Sequence, residues 1–189
     1  MILGITGIFG SGKTTVAKIF TKYGYKRIDA DEIGHQLLNK KPIKNRIIKE
    51  FGKSILTNNK IDRKKLKNIV FNNHKELIKL DKIIHTPIIQ EIKSIIKKSK
   101  NKRIIIDGAL LIETKCTNLC NKLIVVKTNE KERLKRLLKK KKYTKNEIIN
   151  ITKSQLQQKE KLKYADIVID NSKDLNYIKR QVEGLIWPS

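Results

Sequence analysis

The sequence predicts a three-layer α/β fold, in which a parallel sheet is flanked by helices on both faces. Short runs rich in Ile, Leu and Val alternate with stretches that repeat apolar residues at helical spacing. No segment rich in Pro, Gly or Ser divides the 189 residues into two independent domains. Strands that alternate with helices are typical of βαβ units, whose parallel strands are buried on both faces.

The first half of the chain begins with an apolar strand over 1–6 that ends at a glycine-rich turn. A helix is predicted over 12–22 from the spacing of its apolar residues, and a second strand over 25–28 stops at Asp29. The pattern then stays helical to about residue 100, which indicates an insertion carried on the same sheet. Helices are predicted there over 33–39, 42–51, 63–71 and 75–98, the last interrupted near Pro87 because proline disfavours helix in the preceding residue.

The second half of the chain returns to alternating strands and helices. Buried strands are predicted over 103–106 and 123–126, and a short final strand over 167–169. Helices are predicted over 130–142, 144–163 and 174–185. The predicted sheet therefore has five parallel strands.

The chain is strongly basic, with 44 Lys and Arg against 18 Asp and Glu and a formal charge of +26. Such a charge is typical of proteins that bind nucleic acid. Only seven of the basic residues are Arg, however, and the lysines are spread along the whole chain. We therefore expect attraction for anions such as ATP, but no specific nucleic-acid partner.

No apolar run approaches the ~20 residues that cross a bilayer, and the first residues lack the pattern of a signal peptide. We expect a cytoplasmic protein without a membrane partner, present as a monomer or a weak homo-oligomer. Cys116 and Cys120 lack the Cys or His partners of a zinc site. They are predicted to be reduced, partly buried thiols.

A phosphate-binding loop is the strongest motif in the chain. Residues 7–14 satisfy the pattern G-x-x-x-x-G-K-[ST], between a predicted strand and a predicted helix. The loop amides and the helix N-terminus bind polyphosphate, while Lys13 bridges the β- and γ-phosphates and Thr14 binds Mg²⁺. This predicts a P-loop NTPase fold with ATP and Mg²⁺ as cofactors. The predicted nucleotide-binding residues are Gly7, Gly10, Ser11, Gly12, Lys13, Thr14 and Thr15.

Carboxylates follow two of the predicted strands. Asp29 and Asp31 lie at the end of the second strand, and Asp107 ends the third. Ligands of parallel sheets bind beyond the carboxyl ends of the strands. Asp31 is predicted to accept the proton of an attacking hydroxyl, with a helix N-cap as the alternative. Asp107 is predicted to bind Mg²⁺, with a strand-end turn at Gly108 as the alternative.

A cationic stretch over 139–145 lies between two predicted helices, the first of which carries Arg136. Positive charge that closes over the transferred phosphoryl group stabilises its transition state, so this stretch is predicted to be a lid. The alternative is a solvated face. The histidines show no metal-ligand spacing; a contact between His85 and the substrate is one interpretation, and a surface position is the other.

Taken in order, these motifs resemble those of the dephospho-CoA kinase family over nearly the whole chain. The matching segments are 4–15, 28–31, 51–52, 61–66, 70–71, 84–85, 107–113, 154–155, 161, 165–166 and 169–171. Ala109 stands where the family has proline, and Lys140 stands where it tends to place a lid arginine, a role that Arg136 is the candidate to fill.

The resemblance implies a kinase that phosphorylates the ribose 3′-hydroxyl of dephospho-CoA with ATP. It implies a nucleotide-binding core of about 1–32, 101–134 and 164–189, a helical acceptor-binding insertion of about 33–100 and a lid of about 135–163. It also implies Asp31 as the base, and places Asn171 near the adenine. The residues assigned to the acceptor are Asp29, Arg63, His85 and Glu113.

Two other functions are compatible with parts of the pattern. A nucleoside or nucleotide monophosphate kinase accounts for the phosphate loop and the lid, but not for the Asp-Ala-Asp of 29–31 or the Leu-Leu-x-Glu of 110–113. A basic nucleic-acid-binding protein that uses ATP as a switch accounts for the charge. It would need the aromatic-rich and arginine-rich face that this sequence lacks.

Overall fold

A computed structural model of the chain describes residues 1–100, 102–139 and 141–187. The chain forms two compact units. The first comprises Met1–Asp29 and Ser99–Ser189, and the second comprises Ala30–Lys98.

The strands are β1 (Ile2–Thr6), β2 (Lys26–Asp29), β3 (Leu56–Thr57), β4 (Lys60–Ile61), β5 (Ile104–Asp107), β6 (Lys122–Lys127) and β7 (Ile167–Asp170). The α-helices are α1 (Lys13–Lys22), α2 (Ala30–Leu37), α3 (Lys41–Phe51), α4 (Arg63–Asn72), α5 (His74–Lys98), α6 (Glu130–Lys139), α7 (Lys145–Lys153), α8 (Gln158–Leu162) and α9 (Leu175–Ile186). Short 3₁₀ helices cover Lys53–Ile55 and Cys116–Leu119.

The first unit is built on a five-stranded parallel sheet in the order β2-β5-β1-β6-β7. The central strands β5, β1 and β6 are rich in Ile, Leu and Val, as expected for parallel strands covered on both faces, whereas the edge strand β2 reads Lys-Arg-Ile-Asp. Ile5, Ile105 and Ile124 of the three central strands are each 0% exposed, and α1 and α9 pack with them in one apolar core. The three-layer α/β fold and its flanking helices are therefore as predicted.

The second unit is mainly helical. The long helix α5 packs against α2, α3 and α4, and the core includes the fully buried Ile47, Ile55 and Ile92. A small antiparallel hairpin, β3–β4, was not predicted. Its turn is formed by Asn58 and Asn59, both at positive φ, a conformation that Asn tolerates better than most residues.

The predicted interruption of α5 near Pro87 is wrong, because the helix runs through the proline without a break. Pro87 removes one amide from the helical ladder. Ile83 and Ile92, on either side of it, are 7% and 0% exposed, so packing of the whole helix against its neighbours offsets this local cost.

Three other predicted helices differ from the structure by more than one residue. The predicted helix over 144–163 is two helices, α7 and α8, because the backbone between them bonds to other elements: the Leu156 N–H donates to Glu113. Helix α6 ends at Lys139 rather than at residue 142, and Lys141 adopts a left-handed φ of 51°. Helix α2 begins at Ala30, so Asp31 lies inside its first turn and the N-cap alternative is wrong.

Candidate active site

The phosphate loop connects β1 to α1, as the sequence predicts. Gly10 and Gly12 have φ values of 80° and 92°, in the left-handed region that L-residues with side chains rarely adopt. Gly12 caps α1 without any side-chain hydrogen bond, so the first amides of the helix face the loop. A Cβ at Gly7 would lie 2.6 Å from the Val126 carbonyl oxygen, which leaves no room for another residue there.

Asn171, which follows β7, holds the inner side of this loop. Its Nδ2 donates to the Ser11 carbonyl oxygen at 2.7 Å, and its side chain is buried. A Cβ at Gly12 would lie 1.9 Å from that Nδ2 atom. The side chain predicted to lie near the adenine is thus engaged with the backbone of the phosphate loop.

The outer side of the loop is held by residues that the motif does not contain. The Phe9 N–H donates to Gln155 Oε1 at 2.9 Å, and Arg133 Nη1 donates to the Phe9 carbonyl oxygen at 2.8 Å. The Phe9 ring meets Tyr143 edge to face, with ring centroids 5.1 Å apart. A Cβ at Gly10 would lie 2.6 Å from the Leu137 side chain.

A second group of polar residues lies at the carboxyl ends of β2 and β5. Asp107 is 1% exposed, and its Oδ2 accepts two hydrogen bonds from Arg27. Arg27 Nη2 also donates to Asp29 Oδ2, at 2.6 Å. Burial raises the pKa of Asp107, and Arg27, Lys13 and Thr14 oppose that rise.

This arrangement fits a divalent cation. Asp107 Oδ1 is buried and accepts no hydrogen bond from the described residues. A carboxylate oxygen and a threonine hydroxyl are hard oxygen donors of the kind that Mg²⁺ prefers. Asp107 and Thr14 are therefore suited to hold Mg²⁺, directly or through water.

Glu113 lies in an ion pair with Lys161, which is 0% exposed. Lys161 Nζ contacts both carboxylate oxygens of Glu113, at 2.7 and 2.9 Å, and the Ala109 carbonyl oxygen at 2.9 Å. Glu113, a predicted acceptor residue, also accepts the Leu156 N–H. The Glu113 carboxylate therefore stabilises the turn between α7 and α8.

The two cations predicted for the lid are Arg136 and Lys140. Arg136 Nη2 donates to the Thr128 hydroxyl and to the Asn171 carbonyl oxygen, so this guanidinium ties α6 to the ends of β6 and β7. Lys140 lies outside the described residues.

Three further predicted site residues belong to the second unit. Asp31 is in the first turn of α2, and Arg63 is the first residue of α4 after its N-cap, Asp62. Arg63 Nη2 lies 2.8 Å from His35 Nε2. His85 Nε2 lies 3.2 Å from Asp81 Oδ1 on the same helix.

The sequence patterns did not indicate the roles of Arg27, Arg133 and Gln155. Arg27 carried a usable signal: it stands two residues before Asp29 in a strand, so both side chains project from the same face of the sheet. No sequence pattern indicated the role of Arg133, because Phe9, the residue that it contacts in the phosphate loop, is 124 residues away in the chain.

A parallel sheet, a glycine-rich loop that leads into a helix, and a lysine and carboxylates at the strand ends together define a P-loop kinase. Comparison with known proteins narrows this class. The family model described as dephospho-CoA kinase matches residues 1–176. The chain therefore belongs to the dephospho-CoA kinase family.

Individual relatives agree with this assignment. A dephospho-CoA kinase from Fusobacterium nucleatum is 41% identical over 184 residues, which cover 97% of this chain and 95% of that protein. The solved dephospho-CoA kinase from Campylobacter jejuni is 31% identical, with a TM-score of 0.69, covering 98% of this chain and 94% of that one. A shikimate kinase from Bacteroides thetaiotaomicron, at 15% identity and a TM-score of 0.55 over 98% of this chain and 96% of that one, shares the fold alone.

Proposed function

We propose that this chain transfers the γ-phosphate of ATP to the ribose 3′-hydroxyl of dephospho-CoA, giving CoA and ADP in the last step of CoA biosynthesis. The observation that carries the proposal is the family match over residues 1–176, which includes the phosphate loop and the segment of Asp107 and Glu113. The geometry of the loop supports the nucleotide half of the reaction. The assignment of dephospho-CoA as the acceptor rests on the family match.

On the nucleotide side, the loop amides and Lys13 bind the β- and γ-phosphates and neutralise charge that grows during transfer. Thr14 and Asp107 would hold Mg²⁺, which would supply positive charge that offsets the negative charge of the phosphates. Arg27 keeps Asp107 in place by occupying its Oδ2, so Oδ1 remains for the metal or its water.

On the acceptor side, Asp31 accepts the proton of the 3′-hydroxyl as that oxygen attacks the γ-phosphorus and ADP leaves. Residues 33–100 form the acceptor-binding insertion, in which Arg63 and His85 contact dephospho-CoA. Asp29 and Glu113, which belong to the first unit, are also assigned to the acceptor. The cationic side chain of Arg63 and the polar imidazole of His85 suit the phosphates of this acceptor.

Residues 135–163 form the lid. Arg136 and Lys140 supply positive charge near the transferred group, and closure excludes water that would otherwise hydrolyse ATP. The cationic stretch between α6 and α7 supports this role.

We place the enzyme in the cytoplasm as a monomer or weak homo-oligomer, without a specific nucleic-acid or membrane partner. Over the residues that the structure describes, no helix combines the length and the apolar character that crossing a bilayer requires. The spread of lysines along the chain supports non-specific attraction of anions rather than base reading.

Product analysis tests the position of the new phosphate. The protein is incubated with Mg-ATP and dephospho-CoA, and the product is assigned by ¹H and ³¹P NMR. The proposal predicts one ADP for each 3′-phosphorylated product, loss of turnover with excess EDTA, and recovery on adding Mg²⁺. A phosphate on another hydroxyl, or ADP release without CoA, would contradict it.

A further inference from the structure

Two carbonyl oxygens of the phosphate loop are each held by a buried side chain from outside the loop. Arg133, 1% exposed, donates from Nη1 to the Phe9 carbonyl oxygen at 2.8 Å. Asn171, 4% exposed, donates from Nδ2 to the Ser11 carbonyl oxygen at 2.7 Å. The residues that follow these two carbonyls are Gly10 and Gly12.

Because the peptide group is planar, these contacts with carbonyl oxygens also fix the direction of the N–H groups that follow them. The chain contains no cis peptide bond among the described residues. In a planar trans peptide the C=O of one residue and the N–H of the next point in opposite directions. A carbonyl held by Arg133 therefore directs the Gly10 N–H away from Arg133, and Asn171 does the same for the Gly12 N–H.

Because residue 10 is glycine, the backbone needs a contact such as that of Arg133 to fix the orientation of the Phe9–Gly10 peptide. Gly10 has a φ of 80°, and glycine adopts positive and negative φ with similar ease. The Phe9–Gly10 peptide therefore has little intrinsic preference for the orientation that the loop needs.

The preceding peptide is held in the same way. The Phe9 N–H donates to Gln155 Oε1, while the opposite Ile8 carbonyl oxygen accepts the Ser11 N–H at 3.0 Å. The Phe9 amide is thus occupied by the protein, which leaves the Gly10 amide as the next donor along the loop for an anion.

We propose that Arg133 is a positioning residue for the nucleotide, which orients the Phe9–Gly10 peptide so that the Gly10 N–H faces the phosphates. This inference rests on the proposed function, since it takes a nucleotide as the occupant of the loop. The same Nη1 atom lies 3.2 Å from the Thr152 hydroxyl of α7, and Glu130 accepts from Nε at 2.9 Å. The orientation of the loop is therefore linked to the helix that follows the cationic stretch.

Calorimetric titration with ADP, without any acceptor, measures the effect directly. Arg133→Met is expected to weaken ADP binding ~10- to 100-fold, the worth of a hydrogen bond to a charged group. Arg133→Lys, which retains one cationic donor, should recover part of this loss. Arg180→Met, which removes an exposed arginine from α9, is the matched control and should bind ADP as the wild type does.

Steady-state kinetics separates positioning from general loss of structure. Arg133→Met should raise KM for ATP and leave KM for dephospho-CoA within about twofold, whereas partial unfolding would lower the active fraction without this selectivity. A folded Arg133→Met variant with unchanged ADP affinity and unchanged KM for ATP would overturn the inference.

The amide of Gly10 provides a test that does not depend on any variant. In ¹H–¹⁵N spectra of the wild type, ADP should shift the Gly10 signal strongly and the Phe9 signal less. A Gly10 signal that stays in place while those of Lys13 and Thr14 move would overturn the inference, even if Arg133→Met fails to fold. Absence of any ADP binding by the wild type would instead overturn the proposed function.

Discussion

Arg27 donates two hydrogen bonds to a single oxygen of Asp107, from Nε at 2.9 Å and from Nη2 at 2.6 Å. Asp107 pairs in register with Asp29 on the neighbouring strand, so two carboxylates meet at one edge of the sheet. The Arg27 guanidinium bridges both carboxylates, while one oxygen of Asp107 remains free of hydrogen bonds from the described residues.

Replacing Arg27 should therefore weaken the metal site. Arg27→Met removes the charge that opposes the effect of burial on the pKa of Asp107, so this carboxyl would hold its proton at higher pH. We expect the Mg²⁺ concentration for half-maximal turnover to rise ~10- to 100-fold, as for other residues that orient a metal ligand.

The metal affinity itself is measured with Mn²⁺ by electron paramagnetic resonance in the presence of ADP. Arg27→Lys keeps the charge but loses the two-pronged contact, so it should fall between the wild type and Arg27→Met. Equal Mn²⁺ affinity in all three proteins would mean that Arg27 has no part in the metal site.

Asp31 is expected to matter for turnover and not for ATP binding. Asp31→Asn should lower kcat by ~10²–10⁴, the usual contribution of acid–base catalysis, with the ADP affinity nearly unchanged. Stopped-time assays of CoA formation measure the first quantity and calorimetry the second. Glu32→Gln, the next residue in the same helical turn, is the control and should retain activity; near-normal turnover of Asp31→Asn would reject the assignment.

The ion pair of Lys161 and Glu113 should be important for stability. Lys161→Met leaves Glu113 without its buried partner, and removal of one partner of such a pair costs about 3–5 kcal/mol. Glu113 is itself 20% exposed, so the lower end of this range is expected.

Urea unfolding of Lys161→Met, of Glu113→Leu and of the double variant gives the coupling energy of the pair. The double variant should regain part of the loss, because no unpaired charge remains. Additive losses in the double variant would show that the two side chains do not interact in solution.

The two cysteines should be unreactive in the folded protein. Both are free, Cys116 is buried and Cys120 half-buried, which agrees with the predicted partly buried thiols. Burial is the main cause that raises the pKa of Cys120 to about 12, followed by the charge of Cys116. At pH 8 the native protein should react far more slowly with Ellman's reagent than the urea-unfolded protein, and rapid release of two chromophores from the native state would contradict this.

The raised pKa of Cys120 also makes the stability of the folded protein depend on pH. Since the folded pKa of Cys120 lies above that of an unfolded thiol, about 8.5, its contribution is complete below that pH and is lost as the pH rises towards 12. Urea midpoints between pH 8 and pH 10.5 should fall more steeply for the wild type than for Cys120→Ala.

The sheet and the phosphate loop were predictable because their signals are local. Each strand is a short apolar run, and the loop motif lies between a strand and a helix in consecutive residues. The strand-end carboxylates followed from the same reasoning, since Asp29 and Asp107 each end a parallel strand.

The contacts that orient the loop and the metal ligand were not predictable, because they join distant parts of the chain. Arg27 and Asp107 are 80 residues apart, and Arg133 and Phe9 are 124 apart. Helix propensity was also overridden by tertiary packing at Pro87, which is accommodated inside α5. The roles assigned to the acceptor residues stay predictions, since they depend on a substrate that the fold alone does not specify.

ADP release with Mg-ATP shows whether dephospho-CoA is the acceptor. The purified protein is compared on dephospho-CoA, adenosine, AMP and shikimate, with Lys13→Ala as the blank for contaminating kinases. We predict turnover with dephospho-CoA that exceeds turnover with the other acceptors by orders of magnitude, and none for Lys13→Ala. Turnover that is as fast with AMP or shikimate, or absent with dephospho-CoA, would contradict dephospho-CoA as the acceptor.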